Sequence, residues 1–179
     1  MYSKIKSNRI PVELQQIEKT QDAHGITCIP KDDSNFTDLI ATIPGPVGSP
    51  YATGKFELNI TVGEQYPFRP PTFKFNTPVF HPNIDSSGQI CLDLLKMPPS
   101  GTYNPAIRLE SILLSIQLLL ANPNPDDPLQ GDAADMYKNN IEMFNQKARE
   151  HTLRYATAQG CTKDETDTES VPTKKQKVG

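Results

Sequence analysis

Phe56-Glu57-Leu58-Asn59-Ile60-Thr61-Val62 alternates apolar and polar side chains without error, the pattern of a strand with one buried face and one wet face. Residues 25–30 and 36–43 before it are β-like, and Phe73 and Phe75 flank Lys74 in a shorter stretch after it. Residues 108–121, RLESILLSIQLLLA, are apolar nearly all round, so that helix is expected at the centre of the molecule. Asn122-Pro123-Asn124-Pro125 stops it, because a residue before proline is pushed out of the helical region. Upstream, residues 11–19 set Leu14 and Ile17 on one side of a short helix, with Pro11 in the first turn, where its missing N–H does no harm. Downstream, Tyr137, Ile141, Phe144 and Ala148 recur at helical spacing, predicting one amphipathic cover helix over 132–155. Strands in a consecutive run followed by helices predict an α+β fold built on an antiparallel meander.

Composition bounds the rest. Leu, Ile, Val and Phe make up 41 of 179 residues, enough for a single core, since chains below roughly 20% are usually disordered. The net charge of −3 argues against binding nucleic acid by bulk electrostatics. Cys28, Cys91 and Cys161 include no CxxC pair, which speaks against a disulfide scaffold and a cysteine-rich zinc site. No apolar run approaches the roughly 18 residues of a membrane span, and Met1-Tyr2-Ser3-Lys4 is no apolar signal segment. A soluble intracellular protein in a reducing compartment is expected. Residues 157–179 hold few apolar side chains and no periodicity and read as a polar, solvated tail on a domain spanning 1–156.

Fourteen of the 17 prolines fall between Pro44 and Pro128, among the best apolar patterns, so they punctuate ordered loops rather than a disordered linker. One stretch, residues 76–107, shows neither strand nor helix; so long a loop in a compact domain is either a misassignment or a functional loop, and function is sought there. Cys91 lies in it, a candidate nucleophile or an inert buried thiol. His81, ten residues upstream, is a candidate base or a hydrogen-bonded structural residue. A cysteine phosphatase would need an arginine six residues after the cysteine, where Met97 stands, and that class is excluded.

His81-Pro82-Asn83, with Cys91 eight residues past the asparagine and Leu92-Asp93 after it, resembles the active-site signature of ubiquitin-conjugating enzymes. Three further blocks match that family in order: Pro50-Tyr51; Tyr66-Pro67-Phe68-Arg69-Pro70-Pro71; and Asn122-Pro123-Asn124-Pro125-Asp126-Asp127-Pro128-Leu129. The likeness covers residues 9–155. The insertion Leu95-Lys96-Met97-Pro98-Pro99-Ser100-Gly101-Thr102-Tyr103 is similar to a subgroup acting in the Fanconi anaemia pathway, with Tyr103 where that subgroup carries tryptophan.

The resemblance implies the ubiquitin-conjugating fold: N-terminal helix, four-stranded antiparallel meander, long active-site loop, central helix and C-terminal helices. It implies that Cys91 takes ubiquitin from the activating enzyme as a thioester and gives it up to a substrate lysine. Asn83 then supplies a donor to the oxyanion or braces the loop, and Asp127 orients and deprotonates the incoming lysine, with His81, Asn124 and Asp126 in support. Phe68, Pro67, Pro105, Ala106 and Tyr103 are the expected surface for a RING-type ligase, with the Fanconi anaemia ligase as the candidate. Lys6 and Arg9, with Lys4, are the expected activating-enzyme contacts, although Pro11 stands where relatives carry a helix former and would delay the helix. Leu114 and Leu118 offer a face to the carried ubiquitin, with a core role for Leu118 as the alternative. Lys96 is a candidate self-modification site. No metal and no cofactor is expected, ATP being used by the activating enzyme, and a monomer free of nucleic acid and membrane is expected. Subgroup membership implies monoubiquitination in DNA interstrand crosslink repair and a nuclear, and also cytoplasmic, location; Pro172-Thr173-Lys174-Lys175-Gln176-Lys177-Val178 resembles a nuclear-import signal. Two alternatives stay open here: a non-catalytic ubiquitin-binding variant of the same fold, and a carrier of another ubiquitin-like modifier.

Overall fold

A computed structural model describes residues 2–32 and 35–157, without the side chains of residues 2–7 and 35. The expected tail, with Cys161 and the lysine cluster, lies outside the described residues apart from Thr157. Four strands, β1 (Thr27–Asp32), β2 (Asn35–Pro44), β3 (Lys55–Thr61) and β4 (Thr72–Phe75), form one sheet in the order β1-β2-β3-β4. Every neighbouring pair is antiparallel, the meander that the run of β-like segments predicts. The alternation in β3 is what sets its face: Phe56, Leu58 and Ile60 are at most 1% exposed. They stand opposite Ile43, Ala41 and Leu39 of β2. A one-residue slip in this pairing would turn the whole apolar set to solvent.

The central helix α2 (Leu109–Ala121) buries Ile112, Leu113, Ile116 and Leu120 in the same cluster as the inner face of the sheet. A leucine or isoleucine buried this completely contributes roughly 1.5–3 kcal/mol by transfer from water. No helix among the described residues is long and apolar enough to cross a membrane.

Two expectations about helices need correction. The first helix, α1, runs from Tyr2 to His24, straight through Pro11, instead of starting there. Proline in a helix interior removes one hydrogen bond and crowds the preceding turn. Here tertiary anchoring on both sides overrides that cost: Ile10 and Ile17 are buried at 0% and 1% exposure, and Arg9 donates to the carbonyls of Pro105 and Ile107 at 2.6 and 2.8 Å. The cover helix is likewise two helices, α3 (Gly131–Asn139) and α4 (Ile141–Tyr155). Asn140 closes α3 through its N–H to the Met136 carbonyl and opens α4 by accepting from the Met143 N–H at 3.0 Å. An asparagine side chain is well suited to that cap.

Glu13 was not expected to matter and is the hub that joins these pieces. It is 5% exposed, is paired with Arg9 one turn away, and accepts the Tyr66 hydroxyl at 2.8 Å and the Leu109 N–H at 2.8 Å. The Leu109 N–H is one of the unpartnered donors at the start of α2. One carboxylate thereby fixes α1, the 63–71 loop and the central helix to one another.

Candidate active site

The 76–107 segment is ordered by short local devices rather than by a strand or a long helix. The Asp85 carboxylate accepts from Ser87 N, Ser87 Oγ and Gln89 N at 2.8–2.9 Å, and Gly88 takes φ +85°. That left-handed conformation suits glycine, and a Cβ there would also lie 2.1 Å from the Phe75 carbonyl oxygen. The turn sends the chain back along itself, with Ile84 bridging Ile90, until the Cys91 N–H donates to the Asn83 carbonyl at 2.9 Å. The eight-residue spacing between Asn83 and Cys91 is therefore the length of one closed turn.

His81 is fully buried. Its Nε2 lies 3.0 Å from the carbonyl of Leu119, near the end of α2, and its Nδ1 accepts the Asn83 N–H at 3.0 Å. This pairing needs the neutral ring with its proton on Nε2, and burial pushes its pKa down from 6.5 to about 4. Tyr51, of the Pro50-Tyr51 block, donates to the neighbouring Phe80 carbonyl at 2.6 Å and packs against the His81 ring. His81 is thus an architectural pin of the loop, with both ring nitrogens engaged by backbone groups. Because the folded-state pKa is depressed, the unfolded chain takes up the proton first as pH falls. The stability from the neutral ring is complete above 6.5, falls as pH drops from 6.5 toward 4, and levels off below. At 1.36 kcal/mol per pH unit this amounts to about 3 kcal/mol. Urea unfolding across that range is expected to show this loss in the wild type and a visibly flatter profile in His81→Gln; parallel profiles would show that the ring is not buried neutral.

Asn83 is 1% exposed and spends its whole amide on the loop after α2. Nδ2 donates to the carbonyls of Asn124 and Asp127 at 2.7 and 3.0 Å, and Oδ1 accepts the Asn124 N–H at 2.8 Å. Pro82 adds its carbonyl, accepting from Leu129 N and Gln130 N. Among the described residues no buried side-chain nitrogen or oxygen is left without a partner. Of the two roles open for Asn83, the geometry favours the brace: both of its amide protons are already directed at the 124–127 backbone.

That brace delivers one carboxylate to the sulfur. The Cys91 thiol, partly exposed, donates to Asp127 Oδ2 at 3.0 Å, while Asp126 turns away to pair with Lys138 of α3 at 2.8 Å. Asn124 accepts the Asp126 N–H on its side chain, shaping the turn between them. Lys96 closes the group, its Nζ 3.2 Å from Cys91 Sγ and 3.6 Å from Asp127 Oδ2. Burial and the Asp127 contact push the Cys91 thiol up, and Lys96 opposes them. The bond from Cys91, then the charge of Lys96, hold the Asp127 carboxyl below its usual range. Sequence reading singled out Lys96 only as an acceptor; its contact with the sulfur follows from a loop conformation that the residue order does not announce.

The expected ligase surface divides in two. Phe68 is 45% exposed, and Pro105 and Ala106 are exposed nearby in the chain segment that Arg9 grips. Tyr103 and Pro67 are buried, which corrects their reading as contact residues: the Tyr103 hydroxyl donates to the Pro67 carbonyl at 2.6 Å and underpins the Phe68 loop from inside. A residue 1% exposed, as Tyr103 is, cannot itself touch a partner. Arg9 is spent on Glu13, Pro105 and Ile107, and the side chains of Lys4 and Lys6 lie outside the described residues. On α2, Leu118 is 62% exposed, so the core role weighed for it does not hold, and Leu114 is partly buried against the core.

The chain is similar to known proteins over most of its length. The chain is 47% identical over 149 residues to Ubiquitin-conjugating enzyme E2 T of Xenopus laevis, covering 83% of this chain and 77% of that one. It is 46% identical over 153 residues to Ubiquitin-conjugating enzyme E2 27 of Arabidopsis thaliana, covering 85% and 77%. The solved E2 domain of a Toxoplasma gondii ubiquitin conjugating enzyme superposes with a TM-score of 0.76 at 36% identity, over 84% of this chain and 99% of that one. With the family model for ubiquitin-conjugating enzymes matching residues 9–152 around a braced, partly exposed cysteine, the chain belongs to the ubiquitin-conjugating enzyme family.

Proposed function

We propose that this enzyme receives ubiquitin from the activating enzyme as a thioester on Cys91 and passes it to a substrate lysine held by a RING-type ligase. The observation that carries this reading is the thiol itself: partly exposed, 3.0 Å from a carboxylate, and held at the end of a turn that Asn83 and His81 pin to the body of the domain. A thioester suits a carrier because it yields to amines faster than to water. The second exchange needs a neutral lysine, whose ordinary pKa is about 10.4, and Asp127 is the carboxylate at hand to orient that lysine and take its proton. The exposed face of Leu118 is the reading for the carried ubiquitin's docking surface.

Similarity to E2 T proteins over more than four fifths of the chain, together with the 95–103 insertion, supports the finer reading. In it the ligase is of the Fanconi type, the product is a monoubiquitinated protein in DNA interstrand crosslink repair, and the enzyme works in the nucleus. Charging with ATP, ubiquitin and the activating enzyme, followed by transfer with and without such a ligase, tests both levels. Charging by another ubiquitin-like modifier alone would overturn the first, and transfer indifferent to the ligase would overturn the second.

Phe68 marks where the ligase is read to dock. An apolar aromatic side chain presented by a proline-stiffened loop has little freedom left to lose on binding. Phe68→Ala is expected to leave thioester formation unchanged and to weaken ligase binding by about 2 kcal/mol, roughly 30-fold, read as ligase titrations of the transfer rate. Loss of charging instead would show that the loop serves a different partner.

A further inference from the structure

The segment after Cys91 is built around one side chain. Lys96 N–H donates to the Asp93 carbonyl, Tyr103 N–H to the Lys96 carbonyl, and Thr102 N–H again to Asp93, at 3.0–3.1 Å. The turn closes so tightly on Lys96 that a Cβ at Gly101 would lie 2.4 Å from the Lys96 backbone oxygen and from its Cβ. The outcome is an ammonium 3.2 Å from Cys91 Sγ, with an Asp127 carboxylate oxygen at 3.6 Å and one of Asp93 at 3.7 Å. The bond to the sulfur comes first among the causes that raise the Lys96 pKa, so in the uncharged enzyme this side chain is a cation and not a nucleophile.

We propose that Lys96 is a catalytic residue of both acyl exchanges, its ammonium stabilising the anion on Cys91 sulfur as that sulfur attacks and again as it leaves. The proposal rests on the thioester reading above. In the first exchange the Cys91 thiol gives its proton to Asp127, 3.0 Å away, and the resulting thiolate adds to the ubiquitin acyl carbon; a new C–S bond forms, the old one breaks, and its electron pair departs on the activating enzyme's sulfur. In the second, a neutral lysine amine adds to the same carbon and a C–N bond forms. The C–S bond then breaks, its pair returns to Cys91 Sγ, and the surplus amine proton passes to Asp127. Both steps place negative charge on one sulfur atom, and a thiol of lower pKa is the better leaving group. Asp127 alone would work against that charge. Lys96 balances it, so that one site serves a proton acceptor and a thiolate together.

The test begins without ubiquitin. Alkylation of Cys91 by iodoacetamide is followed against pH on the Cys91 peptide by mass spectrometry, which sets Cys28 and Cys161 aside. Lys96→Met is expected to move the midpoint up by about half to one pH unit, whereas Lys96→Arg, which keeps the cation and has no acylable amine, stays near wild type. High salt is expected to shrink the gap, since the ammonium is partly exposed. In single-turnover discharge of the isolated thioester onto free lysine, Lys96→Met is expected to be about threefold slower and Lys96→Arg close to wild type. A Met variant whose midpoint is unmoved or lowered, a Met variant that discharges as fast as wild type, or an Arg variant that behaves like Met would each overturn the proposal. Failure of the wild type to form any thioester would instead overturn the reading beneath it, and the alkylation arm reports separately.

Discussion

Cys91→Ala is expected to carry no ubiquitin at all, while Cys91→Ser accumulates a conjugate that dithiothreitol does not remove. The difference lies in the atom that holds the acyl group. The wild-type thioester exchanges with thiols and amines; a serine ester is a poorer acyl donor with a much more basic leaving group, so it forms slowly and then persists. Neither substitution is expected to disturb the fold. Cys91 is only partly buried and its side-chain contacts are with Asp127 and Lys96, both of which a serine hydroxyl can also meet. Changes in unfolding free energy of no more than about 0.5 kcal/mol are expected, as for surface positions without structural duties. Non-reducing gels of charging reactions decide the matter. A conjugate in the alanine variant would mean that another residue is the nucleophile, with Cys28, 7% exposed, a poor candidate for it.

What the residue order made legible, and what it hid, divides along physical lines. The β3 alternation and the apolar run of α2 were readable because each concentrates its burial in one local period. The two helix misreadings arose where a weak local signal met a strong distant one. Pro11 argues for a helix start, yet Arg9 and Glu13 are held from across the molecule by the 105–107 segment and the start of α2, and Ile10 is fully buried. At Asn139-Asn140 there is neither glycine nor proline to announce a break, and the cap exists only once the Asn140 side chain finds Met143 N. The site follows the same rule. Cys91, Asn83 and Asp127 were found through ordered motifs, but the direction of the Asn83 amide depends on a loop some forty residues away. Glu13 carried one faint signal, a charge at helical spacing between Ile10 and Ile17 on the buried side. Tyr103 enters the expected ligase surface through the family resemblance alone; its burial and its hydroxyl bond to Pro67 are tertiary facts.

The second large effect is expected at Asn83. Asn83→Ala removes two donors and one acceptor that hold residues 124 and 127, while the Pro82 carbonyl still holds Leu129 and Gln130. The stranded Asn124 and Asp127 carbonyls belong to exposed residues and can turn to water, so the loss in stability is expected to stay near 1–3 kcal/mol. Discharge of the thioester onto an amine is expected to fall about 10²-fold, because Asp127 is no longer held beside the sulfur. A brace and an oxyanion donor both predict that slower rate, so the rate alone does not separate them. The thiol does. With Asp127 beside it, Cys91 feels a carboxylate that raises its pKa; if Asn83 is the brace, the alanine variant frees the sulfur from that carboxylate and the midpoint of Cys91 alkylation moves down, toward that of Asp127→Asn. A donor that acts only on the transition state leaves no such trace in the resting enzyme. An unmoved midpoint alongside the slow discharge would therefore return Asn83 to the oxyanion and require its amide to break from Asn124 or Asp127 during each turnover.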